Sequence, residues 1–225
     1  MSTSSIRSRT RSDIGRYTLM RAAEKQPADR RATVASGVKA VVAFPGLQAQ
    51  LCHRLGESIR GWAPRGAPAR AVRTCARVAH WCLTRAVETT TGISINPGAD
   101  IGPGLYIGHF GGIIVGEVTL GSNCNLSQGV TLGRTGRIGE HGAPVLGDRV
   151  WVGPGAVVVG PVAIGDDALI GANTVVTKDV PARALAIGSP MRVFPDVGSF
   201  DYVLYPRMDE DDARRTSLAE RDTPP

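Results

Sequence analysis

Histidine and cysteine are scarce in this chain, with four of each among 225 residues. The cysteines, Cys52, Cys75, Cys82 and Cys124, fall at no metal-ligand spacing, which argues against a structural zinc module. A catalytic zinc held by three histidines is equally poorly served, because residues 93–194 offer only His109 and His141. No metal is expected. Apolar runs of the roughly 18 to 20 residues that a membrane helix needs are missing, so no membrane association is expected. No secretory signal precedes the cysteines, and free thiols in the cytoplasm are the expectation. Cys75 and Cys82, seven apart on a helical pattern, read as core residues.

An even spread of positive charge is missing too. The net charge is +6, yet residues 1–33 alone hold eight basic and three acidic side chains. A surplus gathered in one arm is not the footprint of a nucleic-acid-binding face, and no nucleic-acid partner is expected. That arm, 1–33, is rich in Ser and Arg without a hydrophobic period and reads as disordered. Residues 34–92 read as a helical region, with helices over 34–59 and 68–88. The second shows an apolar face of Val72, Cys75, Val78, Ala79, Cys82, Leu83 and Ala86 that should pack against a neighbour. Residues 195–225 carry mixed charge without an apolar stripe and read as a mobile C-terminal extension.

What the chain has is a period of six. Ile95, Ile101, Ile107 and Ile113 form one run, Leu120, Leu126 and Leu132 a second, and Leu146, Val152, Val158, Ile164, Ile170 and Val176 a third. Neither a helix nor an ordinary strand repeats every sixth residue. Val150, Ala156, Val162, Ala168 and Thr174 follow four positions after the aliphatics of the third run, and Gly147, Gly153, Gly165 and Gly171 follow directly. This is the hexapeptide repeat of a β-helix: each hexad makes one short strand and a corner, and glycine accepts the tight turn. The fold class is therefore mainly β, a parallel β-helix over 93–194 preceded by a short α-helical region. Parallel strands of an α/β domain are the competing reading, but they need helices for which this run has no room.

The period slips by one residue beside Gly116 and Glu117, and breaks for fourteen between Leu132 and Leu146. The second break, rich in glycine and charge, reads as a loop extruded over 133–145, and it carries His141. His109 is the strongest catalytic candidate. It lies in Tyr106-Ile-Gly-His-Phe-Gly-Gly112, two residues past Ile107, where a hexad turns outward and glycines leave the ring accessible. An unperturbed imidazole titrates near about 6.5, so it can take a proton from an alcohol attacking a thioester. A structural histidine capping a corner is the alternative.

These segments resemble the serine acetyltransferase family of hexapeptide acyltransferases across residues 40–194. Phe44-Pro-Gly-Leu-Gln-Ala49 is similar to its helical segment, Ile95-Asn-Pro-Gly-Ala-Asp-Ile-Gly102 to its first repeats, and His109-Phe-Gly-Gly-Ile-Ile-Val-Gly-Glu117 to its histidine-to-glutamate stretch. Ser127-Gln-Gly-Val-Thr-Leu-Gly133 with Thr135-Gly-Arg137 resembles the segment bordering the thioester, and Val176-Thr-Lys-Asp-Val-Pro181 with Gly188-Ser-Pro190 the closing coil. The resemblance implies a left-handed β-helix and direct acetyl transfer from acetyl-CoA to a hydroxyl, with His109 as general base. It implies a homotrimer with active sites between subunits, and CoA lying along Gly153-Pro154 and Gly171-Ala172 and near Gly133 and Thr135. Arg134, Arg137, Lys178 and Arg192 are the basic candidates for the 3′-phospho-ADP end.

Departures from the family pattern concern the acceptor. The family places an aspartate before the base, where this chain has Gly108, and a carboxylate fifteen residues before it, where this chain has Ser94. An arginine and a second histidine precede the loop proline in the family; here Gly142 and Ala143 stand there, and His141 comes two residues early. A site without these counter-charges pairs an amino-acid zwitterion poorly, so the expected acceptor is a sugar or specialised metabolite, with serine the alternative and a non-catalytic scaffold a further one. Glu117, Ser94 or a backbone carbonyl is left to orient His109. The family's partnership with the next enzyme of cysteine synthesis uses a C-terminal isoleucine. This chain ends in Thr223-Pro224-Pro225, which makes that partnership doubtful.

Overall fold

The computed structural model describes residues 3–23, 40–136 and 142–221. Among these residues fifteen short strands form three sheets, and successive strands of the repeats step from one sheet to the next. Sheet A holds Ile93–Ile95, Ile113–Val115, Thr131–Gly133, Val157–Val159 and Val175–Val176; sheet B holds Asp100–Ile101, Thr119–Leu120, Val145–Leu146 and Ala163–Ile164. Sheet C holds Tyr106–Ile107, Asn125–Leu126, Trp151–Val152, Leu169–Ile170 and Leu185–Ile187, closed by the antiparallel strand Arg192–Phe194. All other pairings are parallel, the geometry of a left-handed β-helix with a triangular cross-section. Every aliphatic of the three runs is buried, as are Val150, Ala156, Val162, Ala168 and Thr174, so the two inward positions per hexad fill the prism.

The glycines that follow the aliphatics act otherwise than expected. Gly147, Gly153, Gly165 and Gly171 do not have a positive φ; the left-handed corner positions are taken instead by Asn123, Arg149, Asp167, Asn173 and Arg183 and by Gly104, Gly129 and Gly155. What excludes a side chain is the next coil. A Cβ on Gly153 would lie 2.8 Å from the Ile170 carbonyl oxygen, and one on Gly102 2.5 Å from that of Gly121. Backbone hydrogen bonds between successive coils hold this approach, as in Gly153 N to Ile170 O at 2.8 Å.

Among the described residues four α-helices flank the prism. Helix α1, Thr3–Ala23, lies where the sequence reading placed a disordered arm. Its attachment is made by individual polar groups, which a search for an apolar stripe misses. Arg16 is fully buried and donates to the carbonyls of Gly104, Cys124 (3.1 Å) and Leu204 (3.0 Å) and to Asn125 Oδ1. Asp13 accepts from Gly104 N at 2.8 Å, and the Tyr17 hydroxyl from Ile107 N at 2.9 Å. Helix α2, Pro45–Gly61, starts with proline at a position that needs no N–H, and its Gly46 lies against Ile107, where a Cβ would be 2.5 Å from the carbonyl oxygen. Helix α3, Ala67–Thr91, ends on Gly92 in the left-handed conformation (φ 66°), which turns the chain into the first strand of sheet A.

Helix α3 packs on α2 through a stripe that includes His80 and Thr84, both beside Cys52. The opposite stripe of Val72, Cys75, Val78, Ala79, Cys82, Leu83 and Ala86, expected to be core, is exposed in the single chain. Its alanines and cysteines fit the helical period as well as the other face does, so periodicity selects neither. Residues 195–221 of the C-terminal extension are packed rather than mobile, and 222–225 lie outside the described residues: Ser199, Phe200, Val203 and Tyr205 are buried, and α4, Asp212–Arg221, buries Arg214 against the carbonyls of Phe200 and Val203. Ser199 Oγ donates to Arg149 O at 2.6 Å, beside the bidentate Arg149–Asp167 pair (2.7 and 2.9 Å). None of these anchors forms a repeating pattern in sequence.

A charge cluster lies where α1, α2 and the first coil meet. Arg54 donates to Asp13 (2.9 Å), Glu57 (3.2 Å) and the carbonyls of Ile101 and Gly102 (both 2.8 Å). Beside it His53 is 6% exposed and pushed down to about 4, by burial first and then by Arg54 and Arg60. The unfolded chain takes up a proton near about 6.5 that the folded chain refuses until about 4, so stability falls as pH drops through that window, by up to about 3 kcal/mol. Asp13, raised by burial against the attraction of Arg54, acts in the opposite sense at the acid end. Urea denaturation at pH 7 and pH 5 is expected to show the loss in the wild-type protein and a smaller one in His53→Gln. Equal losses would place the titration elsewhere.

Candidate active site

The corner from sheet C to sheet A carries His109. Two glycines at positive φ, Gly111 (98°) and Gly112 (67°), bend the chain around it. The end of α3 supports it from below: Gly111 N donates to Thr91 O (3.0 Å) and Ile113 N to Gly92 O (3.1 Å). A side chain on Gly92 would press on Gly111 Cα at 3.0 Å. His109 is exposed, and its ring makes no hydrogen bond among the described residues. Phe110 beside it is 65% exposed.

Above His109 the same edge continues coil by coil. Gly129 N bonds Gly111 O (3.1 Å), Gly155 N bonds Gln128 O (2.9 Å), and Asn173 N bonds Pro154 O (2.8 Å). Gln128, Pro154 and Ala172 therefore stand in file above the His109 corner, with Gln128 over Gly111. With coils about 4.8 Å apart, Ala172 is roughly 14 Å up the edge from the histidine. Arg192, paired with Ile187 at the top of sheet C, lies at the same edge. Five of the residues picked from sequence thus align with His109: Gly153, Pro154, Gly171, Ala172 and Arg192.

The others do not. Glu117, Gly133, Arg134, Thr135 and Lys178 lie on the next edge, across sheet A. There Arg134 bonds Glu117 at 2.8 Å with both side chains more than half exposed, and Thr135 packs by Gly160. Within one chain Glu117 pairs with Arg134 and lies across sheet A from His109. Ser94 faces outward on sheet A beside Ile114 and donates to Glu88 Oε1 at 2.8 Å. Glu88 was not among the sequence candidates; it precedes Ser94 by six residues across a helix end, a spacing that marks no motif. His141 and Arg137 lie outside the described residues.

The repeats match the family model "Bacterial transferase hexapeptide (six repeats)" over residues 143–178. Along most of its length the chain is 38% identical to a serine acetyltransferase of Helicobacter pylori, over 77% of this chain and 92% of the relative. It is 37% identical to one of Mycobacterium tuberculosis, over 78% and 72%. The chain belongs to the serine acetyltransferase family. A serine acetyltransferase family member is an acyltransferase, and the fold agrees: soybean serine acetyltransferase, solved in complex with serine, superposes with a TM-score of 0.64 at 30% identity, covering 85% of this chain and 70% of that one. The Neisseria gonorrhoeae enzyme in complex with serine gives 0.61 at 27% identity, covering 85% and 70%. Among the described residues no group of three or more metal ligands occurs, and no helix is long and apolar enough to cross a membrane.

Proposed function

We propose that this chain is an acetyl-CoA-dependent serine O-acetyltransferase that acts without an acyl-enzyme. The observation that carries the reading is the edge itself: an exposed, unbonded imidazole at its foot and a file of backbone corners above it, on which an extended thioester can lie. His109 takes the hydroxyl proton as the oxygen attacks the thioester carbonyl. The C–S bond of the tetrahedral intermediate then breaks, and the thiolate leaves with the proton that His109 returns.

The expectation of a sugar or metabolite acceptor gives way to serine, the acceptor named for relatives that match three quarters of the chain. Gly108, Gly142 and Ala143 still offer no charge to an ammonium or carboxylate. That absence keeps a second reading open, in which a neutral alcohol is the better acceptor. Thiol release from acetyl-CoA with serine and with a panel of sugars and simple alcohols decides between them. Turnover on serine is expected with a KM at or above about 1 mM, the upper end for enzymes. Turnover on a neutral alcohol alone would overturn the serine reading.

Because the candidate residues divide between two edges of one prism, a complete site takes one edge from each of two copies. Sheet A lies between those edges. Its outward ladder of Ser94, Ile114, Thr131, Val157 and Val175 is largely apolar, with Ile114 52% and Val175 37% exposed, whereas Tyr106, Asn125 and Leu169 on the outside of sheet C are covered. A trimer packed through sheet A is the assembly this favours. Val157→Asp is expected to shift the mass in light scattering from three chains toward one and to lower activity in parallel; a trimeric variant would contradict that face.

A further inference from the structure

An imidazole that acts as a base needs its other ring nitrogen held, and it gains from a negative charge placed to favour the imidazolium. The first coil offers few carboxylates for this. Asp100 faces outward on sheet B and pairs with Arg9 at 3.0 Å; Glu57 is buried with Arg54; Glu117 lies across sheet A with Arg134. Glu88 is placed differently. It sits on the last turn of α3, the helix end that carries the His109 corner through Thr91 and Gly92. Its side chain is 16% exposed, with Oε2 held by Arg85 Nη2 at 2.6 Å and Oε1 accepting from Ser94 Oγ at 2.8 Å.

We propose that Glu88 is a positioning residue for His109 and acts through Ser94. The inference rests on the reading of His109 as the general base. A serine hydroxyl has one proton to donate and lone pairs to spare. In this chain the proton is committed to Glu88, so the oxygen presents only acceptor sites on the outer face of sheet A. For catalysis the ring of His109, which makes no hydrogen bond among the described residues, turns to donate its N–H to that oxygen and leaves the other nitrogen bare for the substrate hydroxyl. When His109 takes the substrate proton, the carboxylate favours the new positive charge through the polarised O–H of Ser94. No proton moves along the chain; Ser94 keeps its own, and the one on His109 goes on to the leaving thiolate.

The pair Glu88–Ser94 thus does from two positions what one carboxylate at position 94 would do alone, and this gives a test a purely structural role does not pass. Wild type, Glu88→Gln, Ser94→Ala and the double variant Glu88→Gln/Ser94→Asp are compared as trimers by thiol release. Glu88→Gln and Ser94→Ala are each expected to lose about ten- to a hundredfold in kcat with the KM for acetyl-CoA unchanged. The acidic limb of the kcat/KM profile moves to lower pH in Glu88→Gln. Adding Ser94→Asp restores most of kcat. A Glu88→Gln protein with wild-type kcat overturns the inference, and so does a loss that Ser94→Asp leaves unrepaired. An inactive wild-type protein would instead overturn the acetyltransferase reading, and this inference with it.

Discussion

His109→Ala is expected to lower kcat for thiol release by about 10²- to 10⁴-fold, the range typical for removing a positioned general base. The side chain is exposed and makes no hydrogen bond among the described residues, so its removal opens no cavity and orphans no buried group. Thermal stability should stay within about 0.5 kcal/mol of wild type, as for other surface substitutions. Acetyl-CoA affinity, measured by calorimetry, should also persist, because the proposed contacts above the histidine come from backbone at Gly153-Pro154 and Gly171-Ala172. A variant that keeps more than a tenth of wild-type turnover would mean that the base lies elsewhere.

Arg16→Ala should have the largest effect on stability. The guanidinium is fully buried, burial pushes it down to about 10, and it serves four oxygens belonging to two coils and the C-terminal extension. Its loss leaves Asn125 Oδ1 and the carbonyls of Gly104, Cys124 and Leu204 short of a donor in a space closed to bulk water. Breaking a buried charged network by removing one member costs about 3–5 kcal/mol. For a chain of this size that is roughly a 10 °C fall in Tm. Urea titrations at matched protein concentration measure it, since a change in assembly would otherwise shift the midpoint. A change below about 1 kcal/mol would mean that α1 is an ornament on a self-sufficient prism.

The repeat was legible because its physics is local and periodic. Each inward aliphatic meets the same surroundings one coil later, so Ile95 through Val176 announce the prism without any knowledge of the fold. The glycine role was misread for a related reason: sequence shows that Gly153 follows Val152, but not that Ile170 O will lie 2.8 Å from where its Cβ would be. Helix α1 leaves no signal of this kind because Asp13, Arg16 and Tyr17 bind Gly104, Cys124, Asn125 and Ile107 through single polar groups. Three such anchors leave no period. The motifs mark His109 and the corners Gly153-Pro154 and Gly171-Ala172 as candidates, and the fold places them on one edge. The division of Arg134, Thr135 and Lys178 onto the far edge of sheet A was not legible, because a six-residue period fixes which residues point inward and leaves the edges undistinguished. The Glu88–Ser94 bond depends on how a helix end meets a strand, and charge patterning alone does not reveal it.

Coils that touch only their neighbours normally come apart from the ends, each rung opening almost independently of those beyond. Helix α1 and the segment after the last coil work against that. Arg16 grips the first two coils and the same Leu204 carbonyl that belongs to the extension folded back from the last coil. Opening the first rung therefore strips a contact from a segment that also holds Arg149 and Asp167 near the middle of the stack. A quasi-one-dimensional array becomes a closed circuit. The coil that fixes His109 is spared the fraying its place at the foot of the prism would otherwise bring.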